Sequence, residues 1–462
     1  MKLHGIDIAI VLAYLLSVSL IGVLLSRRAS KSLNSYLLGG KELPWYLLGL
    51  SNASGMFDIS GTMWLAAVVY TVLGGMTSIV LADIIQYIIM TVSAVGVAII
   101  AMSDLSTHAL NVPEGWFNPF FGWKLGLDWT GIIEEANRKI AEDQFSWFSI
   151  IMMLMLFKGI MASAAGPAPN YDMQKILSTR SPREAALMSG FVSMVLFPVR
   201  YLMVVGFAVL GLLYYSQMDL TVAGKVDFEQ VLPAAMSQFV PVGLMGCLLA
   251  GLLAAFLGTF AGTLNAAQAY IMNDFYLKYL RPRAGNREVS FMGYITGIAI
   301  VTVSILIGMF AMDAQTVNRM LQWIVSGLYG GYVAANMLKW YWWRFNGYGY
   351  FWGMLAGLVP ALLFPRMEMF RDTLPLYYFP LLFALSLAGC LIGTYATRPT
   401  DEKTLIAFYR SVRPWGFWGP IREKVLALDP NFRENRSFGR DMFNVVIGPI
   451  ICCHWEDVHH VA

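Results

Sequence analysis

Charge is scarce in this chain. Only 13% of its 462 residues are Asp, Glu, Lys or Arg, against roughly 25% in soluble domains, while 57% are hydrophobic. That balance excludes a soluble enzyme, because too little polar surface remains to coat a water-facing globule. Cysteine is nearly missing as well. Cys247 and Cys390 lie inside apolar stretches and Cys452 and Cys453 sit together near the end, so the four spell out no disulfide framework and leave the redox compartment unmarked. Charge asymmetry is also absent: 32 basic against 29 acidic residues leave +3, no electrostatic footprint for nucleic acid. Phosphate-loop, zinc-spacing and nucleophile-triad patterns are lacking in their required contexts, so the chain reads as neither ATP-driven nor an enzyme, with no resident cofactor.

Apolar length is what the chain has in plenty. Ten uninterrupted runs fall at about 5–26, 44–72, 77–102, 145–165, 188–214, 241–273, 290–312, 320–338, 350–365 and 375–396. The lipid bilayer is therefore the solvent and the first partner. The opening run is too long for a signal peptide and carries no small-residue cleavage pattern, so it reads as a retained helix.

Basic residues mark alternate loops as cytoplasmic. Arg27, Arg28, Lys31 and Lys41 follow the first run; Lys175, Arg180 and Arg183 the fourth; Lys278, Arg281, Arg283 and Arg287 the sixth. Lys339 and Arg344 follow the eighth, and Arg398, Lys403, Arg410 and Arg413 the tenth. The acidic stretch from Asp104 to Asp143 belongs outside. Between the inner loop before Leu43 and this outer stretch lie two apolar runs, whereas an odd number of crossings is required. Either one segment is re-entrant, or the acidic loop is an exception to the charge rule, or chain is missing.

Five ordered fragments bear on that choice. They are NSYLLGGKELPWYLLGLSNASGMFDISG from Asn34, GGMTSIVLADIIQ from Gly74, APNYDMQKILSTRSPREA from Ala168, LLAGLLAAFLGTFAGTLNAAQAYIMNDFY from Leu248 and KWYWWRFNGYGY from Lys339. In this order and spacing the chain resembles the sodium:solute symporter family. The resemblance implies an all-α integral membrane protein with a LeuT-like, five-plus-five inverted-repeat fold behind an extra N-terminal helix, and sites at broken helices near the midplane. It also implies that the first repeat is incomplete, with three spans' worth of chain, on the order of 80 to 100 residues, missing near 61–68. Residues 1–397 then form one transmembrane transporter domain, and 398–462 a cytoplasmic region whose Asp441, Met442, Phe443 and Asn444 announce a truncated final helix. The tail with Cys452, Cys453, His454, His459 and His460 reads as a terminal extension more readily than as a soft-metal site.

The implied activity is sodium-coupled symport of a small organic solute by alternating access in the plasma membrane, with Na+ as coupling ion. Two alternatives stay open: a truncated, transport-defective relative, and a membrane solute sensor. Solute identity and oligomeric state are not encoded. A small hard cation in a membrane is held by carbonyls freed where a helix unwinds, by hydroxyls and occasionally by a carboxylate. Gly49, Ser51, Asn52, Ser54, Gly55 and Gly61 interrupt the first such helix. By resemblance, the sodium carbonyls fall on Ser54 and Phe57, and the opposing helix contributes Ala255, Gly258 and Thr259. One of the family's two adjacent hydroxyl positions is Gly258 here, so a ligand is lost unless water or a shifted neighbour replaces it. Thr259 is either that remaining ligand or a hydroxyl bonded back one turn.

Charges within apolar runs are functional candidates because each costs at least about 2.5–3.5 kcal/mol at mid-membrane. Asp58 tunes the ion's field or caps the helix from Ile59. Asp83 resembles the aspartate on the ion's route to the cytoplasm, and it also caps its helix. Lys158 and Arg200 face a cavity, pair with an acid or snorkel to an interface. Gly159, Gly166, Pro167 and Pro169 break the equivalent helix of the second repeat, and small Ala162, Ala165 and Gly166 weakly disfavour a sugar. Trp340, Trp342, Trp343 and Tyr348 read as an interfacial anchor, with ligand stacking as the alternative.

Overall fold

The computed structural model describes residues 4–29, 38, 43–54, 64–117, 123–142, 144–166, 171–222, 225–310, 330–370 and 373–443. Almost everything described is helical. In chain order the helices are α1 (Gly5–Ala29), α2 (Trp45–Ser54), α3 (Trp64–Thr107), α4 (Glu134–Glu142), α5 (Phe148–Ala164), α6 (Tyr171–Leu177), α7 (Pro182–Leu213) and α8 (Val231–Phe239). Then come α9 (Leu244–Tyr270), continued as a π-helix over Ile271–Leu280, α10 (Asn286–Phe310) and α11 (residues 330–341). The last four are α12 (Gly347–Leu363), α13 (Pro375–Tyr395), α14 (Glu402–Val412) and α15 (Gly419–Leu428). A two-stranded hairpin, Thr221–Val222 with Lys225–Val226, joins α7 to α8.

Among the described residues seven helices are long and apolar enough to cross a bilayer, and Phe148–Ala164 is a shorter apolar helix. The chain is a multi-pass membrane protein. Two compact units divide it: Met1–Pro113 with Ala168–Met312, and Glu114–Pro167 with Asp313–Ala462.

The first unit is built on α3, which packs against α1, α2, α7, α9 and α10. Its 44 residues run unbroken, about 66 Å at 1.5 Å per residue, twice the roughly 30 Å hydrocarbon core. The boundary drawn between the apolar runs at 44–72 and 77–102 is therefore not a helix break. Ten-residue α2 is too short to cross, while α3 continues straight through Gly74 and Gly75. Met90, Ala94 and Val97 of α3 share one core with Val192, Val199 and Leu210 of α7 and Leu248 and Ala255 of α9. On another side Ile79 and Ala82 meet Tyr14 and Val18 of α1 and Ala254, Leu257 and Ala261 of α9.

Asp7 fixes where α9 begins. Its buried Oδ1 accepts hydrogen bonds from the Gly243 and Gly246 amides at 2.8 and 2.9 Å, so a carboxylate borrowed from α1 satisfies donors that the start of a helix leaves orphaned. A β-carbon at 246 would lie 2.7 Å from the Asp7 Cα, so glycine there is what lets the two helices meet.

In the second unit α12 and α13 pack along small residues. A β-carbon at 357 would lie 2.4 Å from the Gly331 Cα, and the Ser386 hydroxyl lies 3.1 Å from the Gly331 carbonyl and 2.9 Å from the Gly353 carbonyl. Helices α14 and α15 close over Leu405, Tyr409, Trp418, Ile421 and Val425. They are stitched to the end of α11: the Phe417 amide donates to the Tyr341 carbonyl and the Trp418 indole to the Trp340 carbonyl. In the loop before α4, the Thr130 hydroxyl, its amide and Asn137 all donate to Asp128, holding its carboxyl below the usual range.

Replacing the cap with Asp7→Ala is expected to lower stability by about 1–2 kcal/mol, read as an earlier unfolding midpoint of the detergent-purified chain. An unchanged midpoint would show that the α1 carboxylate does not hold α9.

Candidate functional site

The site is a polar layer within the first unit, where four helices converge on Asp83. Asp83 on α3 is buried, and so is Ser51 on α2. The Ser51 hydroxyl donates to Asp83 Oδ2 at 2.5 Å. Lys175 of α6 is also buried, with 2% of its surface exposed. Its ammonium donates to the Ser51 carbonyl at 2.6 Å and lies 3.5 Å from Asp83 Oδ2. The acceptor carbonyl sits in the last turn of α2, at the helix end that favours a cation.

The other carboxylate oxygen is different. Asp83 Oδ1 is fully buried and accepts no hydrogen bond among the described residues. It points at Gly258 of α9, where a β-carbon would sit 2.9 Å from Oδ1 and 2.7 Å from Gln86 Oε1. Asp83 and Gln86 are three residues apart on α3 and so share one face. The shortened residue at 258 therefore does not leave a void, because two oxygens from the neighbouring helix lie where its side chain would be. An unpartnered carboxylate oxygen beside an amide oxygen is a hard donor set, which suits a small hard cation. Farther along α9, Asn265 donates to Gln174 Oε1 at 3.2 Å, and the Gln174 amide returns a bond to the Asn265 carbonyl.

The structure brings Asp83 and Gly258 together. Ala255 is fully buried in the core shared by α3, α7 and α9. Thr259 is half-buried, and its carbonyl accepts the Thr263 hydroxyl at 2.8 Å. Ser54 is the last residue of α2, with its side chain outside the described set. Phe57 and Asp58 lie outside the described residues, as do Gly55, Gly61, Pro167, Pro169 and the tail from Asn444 with its cysteines and histidines. Among the described residues no group of three or more His, Cys, Asp or Glu gathers. Lys158 is half-buried on α5, and Arg200 lies on an exposed face of α7.

At the second break, α5 stops at Ala164 and Gly166 turns at φ +80°. The carbonyls freed there meet aromatic donors. The Trp340 indole reaches the Ala165 carbonyl at 3.3 Å and the Tyr332 hydroxyl the Gly166 carbonyl at 3.5 Å. Trp340 thus closes a helix end within the second unit as well as standing beside Lys339.

Charge counting placed Lys175 in a cytoplasmic loop, and the structure buries it. Ser51 entered only as a helix breaker, and Gln86, Gln174 and Asn265 went unnoticed. Their signal was polar residues at three-residue spacing inside apolar runs, Asp83 with Gln86 and Asn265 with Gln268, where each polar group needs a partner.

Residues 10–357 match the model of the Sodium:solute symporter family. The chain belongs to this family. Among its relatives, the sodium/mannose cotransporter SLC5A10 of Bos taurus is 23% identical over 327 residues, covering 65% of this chain and 52% of the relative. The sodium/glucose cotransporter of Vibrio parahaemolyticus is 22% identical over 345 residues, covering 71% and 61%. The matched stretch thus spans little more than half the length of these symporters. A solved structure of a Na+-coupled sialic acid symporter in a substrate-bound outward-open state superposes with a TM-score of 0.60 at 15% identity, covering 87% of this chain and 100% of that one. The fold is that of the LeuT-like symporters.

Ser51→Ala deletes a donor to a buried carboxylate, and a cost of about 1–3 kcal/mol is expected, measurable as a lowered unfolding midpoint in detergent. No change would place the Ser51 hydroxyl outside the site.

Proposed function

We propose that the chain binds sodium and couples it to the transport of a small organic solute by alternating access across the plasma membrane. The observation that carries this reading is the buried Asp83 oxygen that has no donor among the described residues and faces Gly258, next to Gln86 Oε1. In a bilayer a charged oxygen without a partner is costly, and a small cation or a proton relieves it. Ser54, Phe57, Ala255, Gly258 and Thr259 are the proposed sodium ligands, with Asp58 and Asp83 on the ion's path. When bound, the ion brings the charge through which a membrane potential acts. One charge crossing 100 mV yields about 2.3 kcal/mol, roughly a fiftyfold solute gradient. The relatives' names span mannose, glucose, myo-inositol and proline, so polyhydroxylated solutes and amino acids make the first panel, although small Ala162, Ala165 and Gly166 weakly disfavour a sugar.

A second reading has its own observation. Helix α3 runs as one 44-residue piece, and the match covers 52% and 61% of two relatives. A chain so shortened near 61–68 would bind its ion without completing the transport cycle.

Uptake of labelled solutes into proteoliposomes under an inward sodium gradient tests the first reading. Sodium-stimulated uptake that Thr259→Ala abolishes is the expected result. Saturable sodium binding without uptake would favour the transport-defective relative, and the absence of both would overturn the proposal.

A further inference from the structure

We infer that Lys175 is a tethered cation that competes with the coupling ion for the Ser51 carbonyl and the Asp83 carboxylate, and so sets how tightly the chain holds sodium. The inference rests on the sodium-coupled reading above.

Its ammonium occupies the kind of donors a small cation takes: a carbonyl at the end of a helix, 2.6 Å away, and a carboxylate oxygen, 3.5 Å away. The shorter contact is to the carbonyl, so the ammonium sits in the mouth of α2 more than it clasps Asp83. Among the described residues the buried charges are Asp7, Asp83 and Lys175, and Asp7 is committed to the start of α9. Asp83 and Lys175 thus face each other with opposite charge. A sodium ion joining them adds a second positive charge to a water-poor layer, which disfavours entry until the ammonium withdraws. Withdrawal is feasible because lysine carries a compact point charge on a flexible four-carbon stem, whereas arginine would bind as a fixed fork. Meanwhile Asp83 Oδ1, on the Gly258 side, stays open to an incoming ion while Oδ2 still faces Lys175. An ion arriving at Oδ1 while the ammonium still faces Oδ2 gives the layer one surplus positive charge, which withdrawal of the ammonium from Oδ2 removes.

The test compares binding of radiolabelled sodium by the purified full chain with that of Lys175→Met and Lys175→Gln. The glutamine keeps a donor for the Ser51 carbonyl without the charge, which preserves folding if the methionine variant does not. Both variants are expected to bind sodium about tenfold or more tightly, to gain more thermal stability from added sodium than the unaltered chain, and to lose that gain when Asp83→Asn is added. A residue acting only as a structural strut would not tighten ion binding when its charge is removed. Equal or weaker binding by both variants, with the unaltered chain still binding, overturns the inference and leaves the sodium-coupled reading intact. No saturable binding by any of the chains, each eluting as a folded species, overturns both.

Discussion

A carboxylate shut away from water is the constraint on which the first unit is arranged. Asp83 lies buried on the apolar helix α3, and in such surroundings an ionised group persists only if hydrogen-bond donors and an opposite charge are brought to it. Ser51 and Lys175 are those groups, which obliges α2 and α6 to meet α3 at one level. The α9 helix meets the same level through Gly258, the small residue that allows Asp83 Oδ1 and Gln86 Oε1 to lie against its backbone. Because the low dielectric strengthens both the satisfied contacts and the penalty for an unsatisfied one, the layer both orders the helices and leaves one oxygen available.

The remainder of the unit holds that layer in register. Apolar faces of α1, α3, α7 and α9 enclose it, and the Asp7 carboxylate pins the start of α9 to α1. The two buried aspartates thus do opposite things with the same chemistry. Asp7 spends its Oδ1 on two backbone amides and is structural, whereas Asp83 keeps one oxygen without a donor among the described residues. That contrast, more than burial itself, separates a cap from a candidate ion site.

Much of this was legible before any coordinates. Low charge and long apolar runs gave a helical membrane protein, and the ordered fragments pointed to the family that the residue 10–357 match establishes. Asp83 stood out through its resemblance to the family's aspartate on the ion's route to the cytoplasm. Lys175 did not, since counting basic residues by loop treats every lysine as solvated, and only the path of α6 shows that its stem carries the charge inward. The apolar runs drawn as 44–72 and 77–102 part at Gly74 and Gly75, where glycine disfavours helix by about 1 kcal/mol, yet α3 passes through both. Packing on α1 and α9 outweighs that local preference. The vacancy at Gly258 was visible as a lost hydroxyl, but which neighbours fill it depends on helix phase, and that requires the third dimension.

The central claim is that Asp83 is ionised and paired with the Lys175 ammonium in the apolar layer. Difference infrared spectroscopy of the purified chain against Asp83→Asn tests it most directly. The account predicts that the variant lacks a carboxylate band present in the unaltered chain, and that sodium shifts this band. A protonated carboxyl band assigned to Asp83, insensitive to sodium, would contradict it.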